Sequence, residues 1–151
     1  MGIGYKVSFK TSVFIFAALG GVGFAFGVQA QTVEIDWTRQ FGTGSSDTAQ
    51  AVGVNGDLYV AGNTFGALPG QVSAGDSDVF LRKYDINGNL IWTRQFGTSS
   101  VDFAFRIAVA SSSVYVAGVT SGDLPGQASS GGQDAFVRKY DTNGNEVWTR
   151  Q

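Results

Sequence analysis

The chain has 151 residues, of which 43% are apolar and 15% are charged, and its formal net charge is −2. It contains no cysteine and no histidine, which excludes disulfide frameworks, cysteine-ligated zinc and thiol nucleophiles and removes the commonest general base near neutral pH. A weakly acidic chain with evenly mixed charges does not indicate a nucleic-acid-binding protein, which needs a basic surface.

Residues 1–30 have the composition of a secretory signal peptide. Two lysines precede an uncharged stretch from 11 to 28, and Val28-Gln29-Ala30 has the small-x-small pattern that signal peptidase reads. We expect cleavage after Ala30 and a secreted, periplasmic or cell-surface protein. The alternative is a retained membrane anchor, because the uncharged stretch of 18 residues is near the lower limit for spanning a bilayer.

The remaining residues, 31–151, contain an internal repeat. The segment Trp-Thr-Arg-Gln-Phe-Gly-Thr at 37–43 recurs at 92–98, and its first four residues recur at 148–151. The other matched segments are 59–62 with 115–118, 68–71 with 124–127, 82–85 with 138–141, and 87–89 with 143–145. This many matches in the same order define two consecutive units of about 55 residues.

Each unit is predicted to form four short antiparallel strands. The predicted strands are 48–54, 58–63, 79–84 and 90–95 in the first unit, and 103–109, 114–119, 135–140 and 146–151 in the second. In strand 103–109 apolar residues occupy every second position, Phe103, Phe105, Ile107 and Val109, which is the period of a β-strand. The intervening positions are small in both units, apart from Arg106, which favours an inner strand where neighbouring sheets converge.

Turn residues separate the predicted strands. Asn87-Gly88 and its repeat Asn143-Gly144 predict hairpin turns between the third and fourth strands, because both residue types tolerate positive φ. The segment Leu-Pro-Gly-Gln at 68–71 predicts a type II turn. A lone copy of the fourth strand, the outer strand 33–41, is expected before the first unit.

Four antiparallel strands per repeat is the organisation of a β-propeller blade. Residues 58–62, 78–85, 87–89 and Trp92 resemble the bacterial extracellular β-propeller repeat family known as SBBP repeats. The fold expected is therefore all-β: an incomplete propeller with blade 1 at about 47–96 and blade 2 at about 102–151, preceded by a signal-peptide helix. The resemblance implies secreted or surface-attached bacterial proteins in which the repeats act as a scaffold, and it brings no catalytic motif.

Two blades are fewer than the 4–8 that close a propeller, so the flat sides of the sheets remain to be covered. We expect the chain to be a fragment of a longer array, and the alternative is that identical chains associate to complete a ring. The expected partners are a protein or further blades that contact the exposed sheet faces, with a homo-oligomer as one form. Nucleic acid is not expected, nor is a membrane after signal cleavage.

The loops that begin at Asp85 and Asp141 are the best candidates for calcium, because Asp-x-Asn-Gly-Asn places oxygen atoms at alternate positions. The glycine is at the fourth position, however, whereas an EF-hand has it at the sixth, and Phe96 stands twelfth where an EF-hand has glutamate. We therefore interpret both loops as hairpin turns and expect no metal site, while the sequence leaves calcium binding open.

Other recurring polar and aromatic residues receive structural interpretations. Arg82, Arg138, Asp78 and Asp134 are expected to fix blade geometry through ion pairs or hydrogen bonds. Asp47 and Asp102 are expected in Asx-type turns. The three recurring tryptophans, Trp37, Trp92 and Trp148, are expected to pack between blades rather than to stack sugars.

These observations predict an exported, non-catalytic repeat protein that acts as a scaffold or binding module, with no catalytic residues and no cofactor. The alternative is a piece of an extracellular propeller enzyme, either polysaccharide-active or quinone-dependent. Without histidine, paired carboxylates are the chemistry that remains for such an enzyme. A third interpretation is a non-functional gene remnant.

Overall fold

The computed structural model describes residues 37–151, and the predicted signal peptide lies outside these residues. The first sheet contains β1 (Asp47–Asn55), β2 (Asp57–Thr64), β3 (Asp78–Tyr84) and β4 (Leu90–Phe96), and the second contains β5 (Asp102–Ala110), β6 (Ser113–Thr120), β7 (Asp134–Asp141) and β8 (Glu146–Arg150). In both sheets the strands lie in chain order and every neighbouring pair is antiparallel. The predicted all-β class and the two four-stranded units are confirmed, and both sheets lie within one compact unit, Gln40–Gln151.

The predicted outer strand 33–41 is wrong in the part that the structure describes. Residues 37–41 have no strand structure, and residues 33–36 lie outside the described range. The corresponding segment of the first unit, β4, is a strand because it pairs with β3. Residues 37–41 pair with no strand among residues 37–151.

The strict alternation predicted for the first strand of each unit is also wrong. A β-bulge interrupts β1 between Ala49 and Ala51, and another interrupts β5 between Ala104 and Arg106. At a bulge two residues of one strand lie opposite a single residue of its partner. The alternation of side chains between the two faces of the sheet therefore shifts by one residue at that point. Phe105 is consequently 45% exposed, although its spacing placed it with Ile107 and Val109.

The bulges require glycine on the neighbouring strand. A β-carbon on Gly62 would collide with the carbonyl oxygen of Thr48, and one on Gly118 would collide with the carbonyl oxygen of Phe103. The recurring Ala-Gly of β2 and β6 therefore permits the close approach of the bulged strand.

The hydrophobic core lies between the two sheets. Because side chains alternate across a strand and the registers align them across the sheet, each sheet has two faces, which we call front and back. The front face of the first sheet consists of Tyr59, Ala61, Val79, Leu81, Lys83, Trp92 and Arg94. The back face of the second sheet consists of Ile107, Val109, Val114, Val116, Phe136, Arg138 and Tyr140. Apolar members of these two faces form one cluster, in which the front of the first sheet packs against the back of the second.

Candidate interaction surface

The junction between the sheets is tightest near the inner strands. A β-carbon on Gly53 of β1 would lie 2.6 Å from Val109 Cγ2 and 3.4 Å from Ile107 Cγ2, both on β5. The glycine thus leaves room for the branched side chains of the second sheet. This agrees with the prediction of small residues where neighbouring sheets converge.

The outer part of the junction is polar, and three side chains of the first sheet hold one turn of the second. Lys83 Nζ donates to the carbonyl of Thr142 at 3.0 Å, and Trp92 Nε1 donates to the same oxygen at 3.2 Å. Arg94 Nε donates to the carbonyl of Gly144 at 2.7 Å. We call Lys83, Trp92 and Arg94 the first donor trio.

The bound turn fits the trio because its fourth residue is glycine. Gly144 has φ of +81°, and a β-carbon there would lie 3.0 Å from the indole of Trp92 and 3.2 Å from Arg94 Cζ. Trp92 therefore packs between the two sheets, as predicted from its recurrence.

The turn at Asp141 is built by its own carboxylate. Asp141 Oδ1 accepts hydrogen bonds from the backbone N–H groups of Asn143 at 2.9 Å and Asn145 at 2.8 Å, and Oδ2 accepts one from the Asn145 side chain at 2.9 Å. The backbone and side chain of Asn145 lower the pKa of Asp141 below its usual value. The turn at Asp85 has the same contacts. Both loops are the predicted hairpin turns, each closed by the carboxylate of its first residue.

An aromatic side chain from the end of β4 completes the junction. Phe96 makes an edge-to-face contact with Phe136, with ring centroids 5.7 Å apart, and the guanidinium of Arg138 lies 3.9 Å from the Phe96 ring centroid. Arg138 also forms an ion pair with Glu146 at 3.3 Å. Burial raises the pKa of the neighbouring Tyr140 to about 12, with Arg138 opposing the rise.

The first sheet has the same arrangement around Phe41. Its ring lies 5.4 Å from that of Phe80, and the guanidinium of Arg82 lies 4.0 Å from the Phe41 centroid. Arg82 Nε also donates to Thr93 Oγ1 at 3.0 Å. These contacts of Arg82 and Arg138 agree with the prediction that both arginines fix the geometry of the sheets.

Two aspartates, Asp102 buried and Asp47 half-buried, fix the loops that enter the first strand of each sheet. Asp102 is 0% exposed, and its Oδ2 accepts hydrogen bonds from the backbone N–H of Thr98 at 2.6 Å and from the Thr98 hydroxyl at 3.1 Å. Asp47 has the equivalent contacts with Thr43; burial alone would raise the pKa of Asp47, but hydrogen bonds from Thr43 and Thr64 lower it overall. The bonded N–H groups lie four residues before each aspartate, so these contacts differ from the predicted Asx-type turns, in which the donor lies two residues after the aspartate.

Asp78 and Asp134 lie at the start of the third strand of each sheet and accept hydrogen bonds from a glutamine. Gln95 Nε2 donates to Asp78 Oδ2 at 2.7 Å, and Gln151 Nε2 donates to Asp134 Oδ2 at 3.1 Å. Gln95 Oε1 also accepts from the backbone N–H of Leu68 at 2.9 Å, so it ties the predicted type II turn to β4. The sequence reasoning assigned these glutamines no role, although their recurrence beside Thr-Arg was visible.

The front face of the second sheet repeats the front face of the first but is not covered by another described sheet. Leu81 is 0% exposed, whereas Val137, which occupies the equivalent position, is 38% exposed. Tyr59 is buried, and its equivalent Tyr115 is half-buried. The candidate interaction surface is therefore the front face of the second sheet: Tyr115, Ala117, Val137, Lys139, Trp148 and Arg150.

Residues 37–151 contain no group of three or more acidic side chains placed to bind a metal ion. Within the same residues no helix has both the length and the apolar character needed to cross a membrane.

No family model matches the chain. A search of characterised proteins finds the regulatory protein FlaEY of Caulobacter vibrioides (strain ATCC 19089 / CIP 103742 / CB 15), which is 33% identical over 156 aligned residues. The match covers 93% of this chain and 16% of FlaEY. The chain thus corresponds to a small part of a much longer relative.

Proposed function

We propose that the chain is an exported, non-catalytic β-propeller repeat module that acts as a scaffold or binding module by stacking its sheets against sheets of the same kind. The observation that carries the proposal is the contrast between two equivalent faces. The front face of the first sheet is buried by the second sheet, whereas the front face of the second sheet remains accessible. Apolar sheet surface of this kind is an interaction surface.

The opposite side of the pair offers the complementary half. Ile107 and Val109 pack against the core from the back of the second sheet. Their equivalents on the back of the first sheet, Val52 and Val54, are 62% and 68% exposed. Each side of the buried junction therefore has an open counterpart: the front of the second sheet matches the front of the first, and the back of the first sheet matches the back of the second. Two such chains could bring these open faces together in a head-to-tail contact.

The wider assignment rests on the sequence and on the relative. The resemblance to SBBP repeats supports a propeller and a bacterial extracellular setting, and the composition of residues 1–30 supports export. FlaEY is named a regulatory protein and is much longer than this chain. A module that binds through sheet faces is compatible with a role inside a longer regulatory protein, and we propose that the chain serves such a role.

The contacts of the aspartates favour a scaffold over an enzyme. A glycosidase needs two carboxyl groups that reach the substrate. Asp102 is fully buried and holds the Thr98 loop, and Asp78 is fully buried beside Gln95. These recurring acids are used to hold loops.

The proposal is tested by the solution mass of the chain without residues 1–30, measured by light scattering between about 10 and 500 µM, a range chosen for weak contacts. We expect a mass above that of the monomer at the higher concentrations, and Val137→Asp should restore the monomer by placing a charge on the front face. The control is Val72→Asp, because Val72 is 83% exposed in a loop. A monomer at every concentration, or equal effects of the two substitutions, would contradict the proposal.

A further inference from the structure

The front face of the second sheet carries a second donor trio, Lys139, Trp148 and Arg150, at the positions of Lys83, Trp92 and Arg94. We propose that this second trio is a binding site for the backbone carbonyls of an Asp-x-Asn-Gly-Asn turn, presented by a further repeat of the same type. The inference rests on the proposed function, and it adds which side chains recognise the partner and what they recognise.

The first trio shows which chemical group such a site binds. Every hydrogen bond from the trio to the turn goes to a main-chain oxygen, that of Thr142, Gly144 or, from Arg94 Nη2 at 3.4 Å, Asn143. Main-chain carbonyls are present in every turn, so the geometry of the turn and the absence of a β-carbon at its glycine supply the selectivity.

The tryptophan and the arginine of the second trio have the same intrasheet contacts as those of the first. The Trp148 ring lies 6.1 Å from that of Tyr115, and the corresponding distance from Trp92 to Tyr59 is 6.0 Å. Arg150 Nη1 donates to the carbonyl of its preceding residue at 2.7 Å, as Arg94 does at 2.8 Å. One nitrogen of each guanidinium is held in this way, which restricts the side chain before binding.

The two trios differ in their occupancy. In the described part of the chain, the indole N–H of Trp148 and the Nε of Arg150 have no hydrogen-bond acceptor, whereas those of Trp92 and Arg94 have one each. Lys139 Nζ lies 5.5 Å from the Tyr115 ring centroid, close to the 5.4 Å between Lys83 and Tyr59. Lys83 is additionally held by Asp57 at 2.9 Å, whereas the residue equivalent to Asp57 in the second sheet is Ser113.

The occupant follows from the junction already formed. The turn held by the first trio belongs to the next sheet along the chain, and its Asp-x-Asn-Gly-Asn pattern recurs in the first sheet at 85–89. A repeat stacked on the second sheet in the same way would present its own turn to Lys139, Trp148 and Arg150. The polar rim would then fix the register of the contact while the apolar face supplies buried area.

The test is a titration of the full ¹⁵N-labelled chain with an unlabelled cyclised peptide that has the sequence of residues 138–148 and so contains the turn. We expect a saturable shift of the Trp148 indole N–H resonance, with a dissociation constant on the order of 1 mM because the apolar sheet face is absent from the peptide. The Trp92 indole resonance should stay in place, since that N–H already donates to Thr142.

Substitutions in the chain complete the test. The double variant Lys139→Met, Arg150→Met should weaken peptide binding at least tenfold. The control Val72→Asp should bind as the unsubstituted chain does, because Val72 is 83% exposed in a loop of the first sheet. The amide spectrum of each variant establishes that the fold is retained.

The outcomes separate this inference from the proposed function. No saturable shift of Trp148, an equal shift with a linear peptide of scrambled sequence, or undiminished binding by the double variant would overturn the turn site. Assembly of the chain that survives the double substitution would also overturn it while leaving sheet stacking intact. A chain that stays monomeric yet binds the cyclised peptide through Trp148 would contradict the proposed function and support the site.

Discussion

Arg94 and Arg106 are both strand arginines, yet only Arg94 reaches across the junction. Arg94 Nε donates to Gly144 in the other sheet at 2.7 Å, whereas Arg106 Nη1 donates to the adjacent carbonyl of Phe105 at 2.8 Å. Arg94→Met should therefore lower the free energy of unfolding by about 1–3 kcal/mol, because the carbonyl of Gly144 loses a charge-assisted donor. Arg106→Met should change it by less than about 0.5 kcal/mol. Urea denaturation of both variants measures the difference, and equal losses would contradict the role assigned to the first donor trio.

Tyr140 makes stability depend on alkaline pH. Burial raises its pKa to about 12 in the folded protein, from an ordinary value near 10. The folded chain therefore holds this proton more tightly than the unfolded chain does, so the stabilisation is complete below pH 10 and is lost as the pH rises from about 10 towards 12. Two pKa units correspond to about 2–3 kcal/mol.

Tyr140→Phe removes the titrating hydroxyl, so the variant should lose less stability than the unsubstituted chain over that pH interval. Urea denaturation at a series of pH values from about 8 to 12 measures the free energy of unfolding of both proteins. Parallel pH profiles for the two proteins would show that the Tyr140 hydroxyl is not the source of the loss.

The recurring residues could be recognised from the sequence, but their partners could not. Lys83 and Gln95 have visible counterparts in the second unit, Lys139 and Gln151. The acceptor of Lys83, however, is a main-chain carbonyl 59 positions away, at Thr142. A backbone oxygen leaves no mark on amino-acid composition, so recurrence indicated importance without indicating the contact.

At the scale of elements, strands and turns were predictable because their chemistry is local. Each observed strand contains most of its predicted range, and Gly70 and Gly88 both adopt φ of +75° in turns predicted from Pro-Gly and Asn-Gly. The bulges were not predictable, because an extra residue in a strand has no composition of its own. In β5 the bulged position is occupied by the apolar Phe105, which fits the alternation of apolar residues and so hides the bulge.

The bulge in β5 depends on Gly118. Gly118→Ala would place a methyl group against the carbonyl oxygen of Phe103, a main-chain atom that cannot rotate away. We expect a loss of about 1–3 kcal/mol in the free energy of unfolding. Gly44→Ala is the matched control, because a β-carbon there would have no atom within 4 Å. A loss for Gly118→Ala no larger than that for the control, measured by thermal unfolding, would mean that β5 can relax without its bulge.

At the scale of the whole molecule, the central claim is that the buried junction between the two sheets is a pattern that recurs at the open faces. The two-unit organisation was predictable because the repeat preserves its turn and core residues in order. The contacts that orient one sheet on the next were not, because they depend on which carbonyls face which donors after both sheets have formed. The geometry of the buried junction therefore provides the test of whether the open faces make the same contact.

The absence of cysteine allows that geometry to be tested by a single introduced disulfide. A β-carbon on Gly53 would lie 3.7 Å from Val109 Cβ, which is within the usual range for a disulfide. The equivalent positions on the open faces are Ala108 on the second sheet and Val54 on the first, both exposed. Head-to-tail contact between two chains would bring these positions together.

The most direct measurement is therefore disulfide formation in a glutathione redox buffer between two single variants, Ala108→Cys and Val54→Cys, mixed in equal amounts. The account predicts a cross-linked heterodimer in the mixture, formed well in excess of the homodimers that each variant gives alone. Equal yields of homodimer and heterodimer, or no cross-link at concentrations where the chain associates, would contradict the claim that like sheets stack front to back.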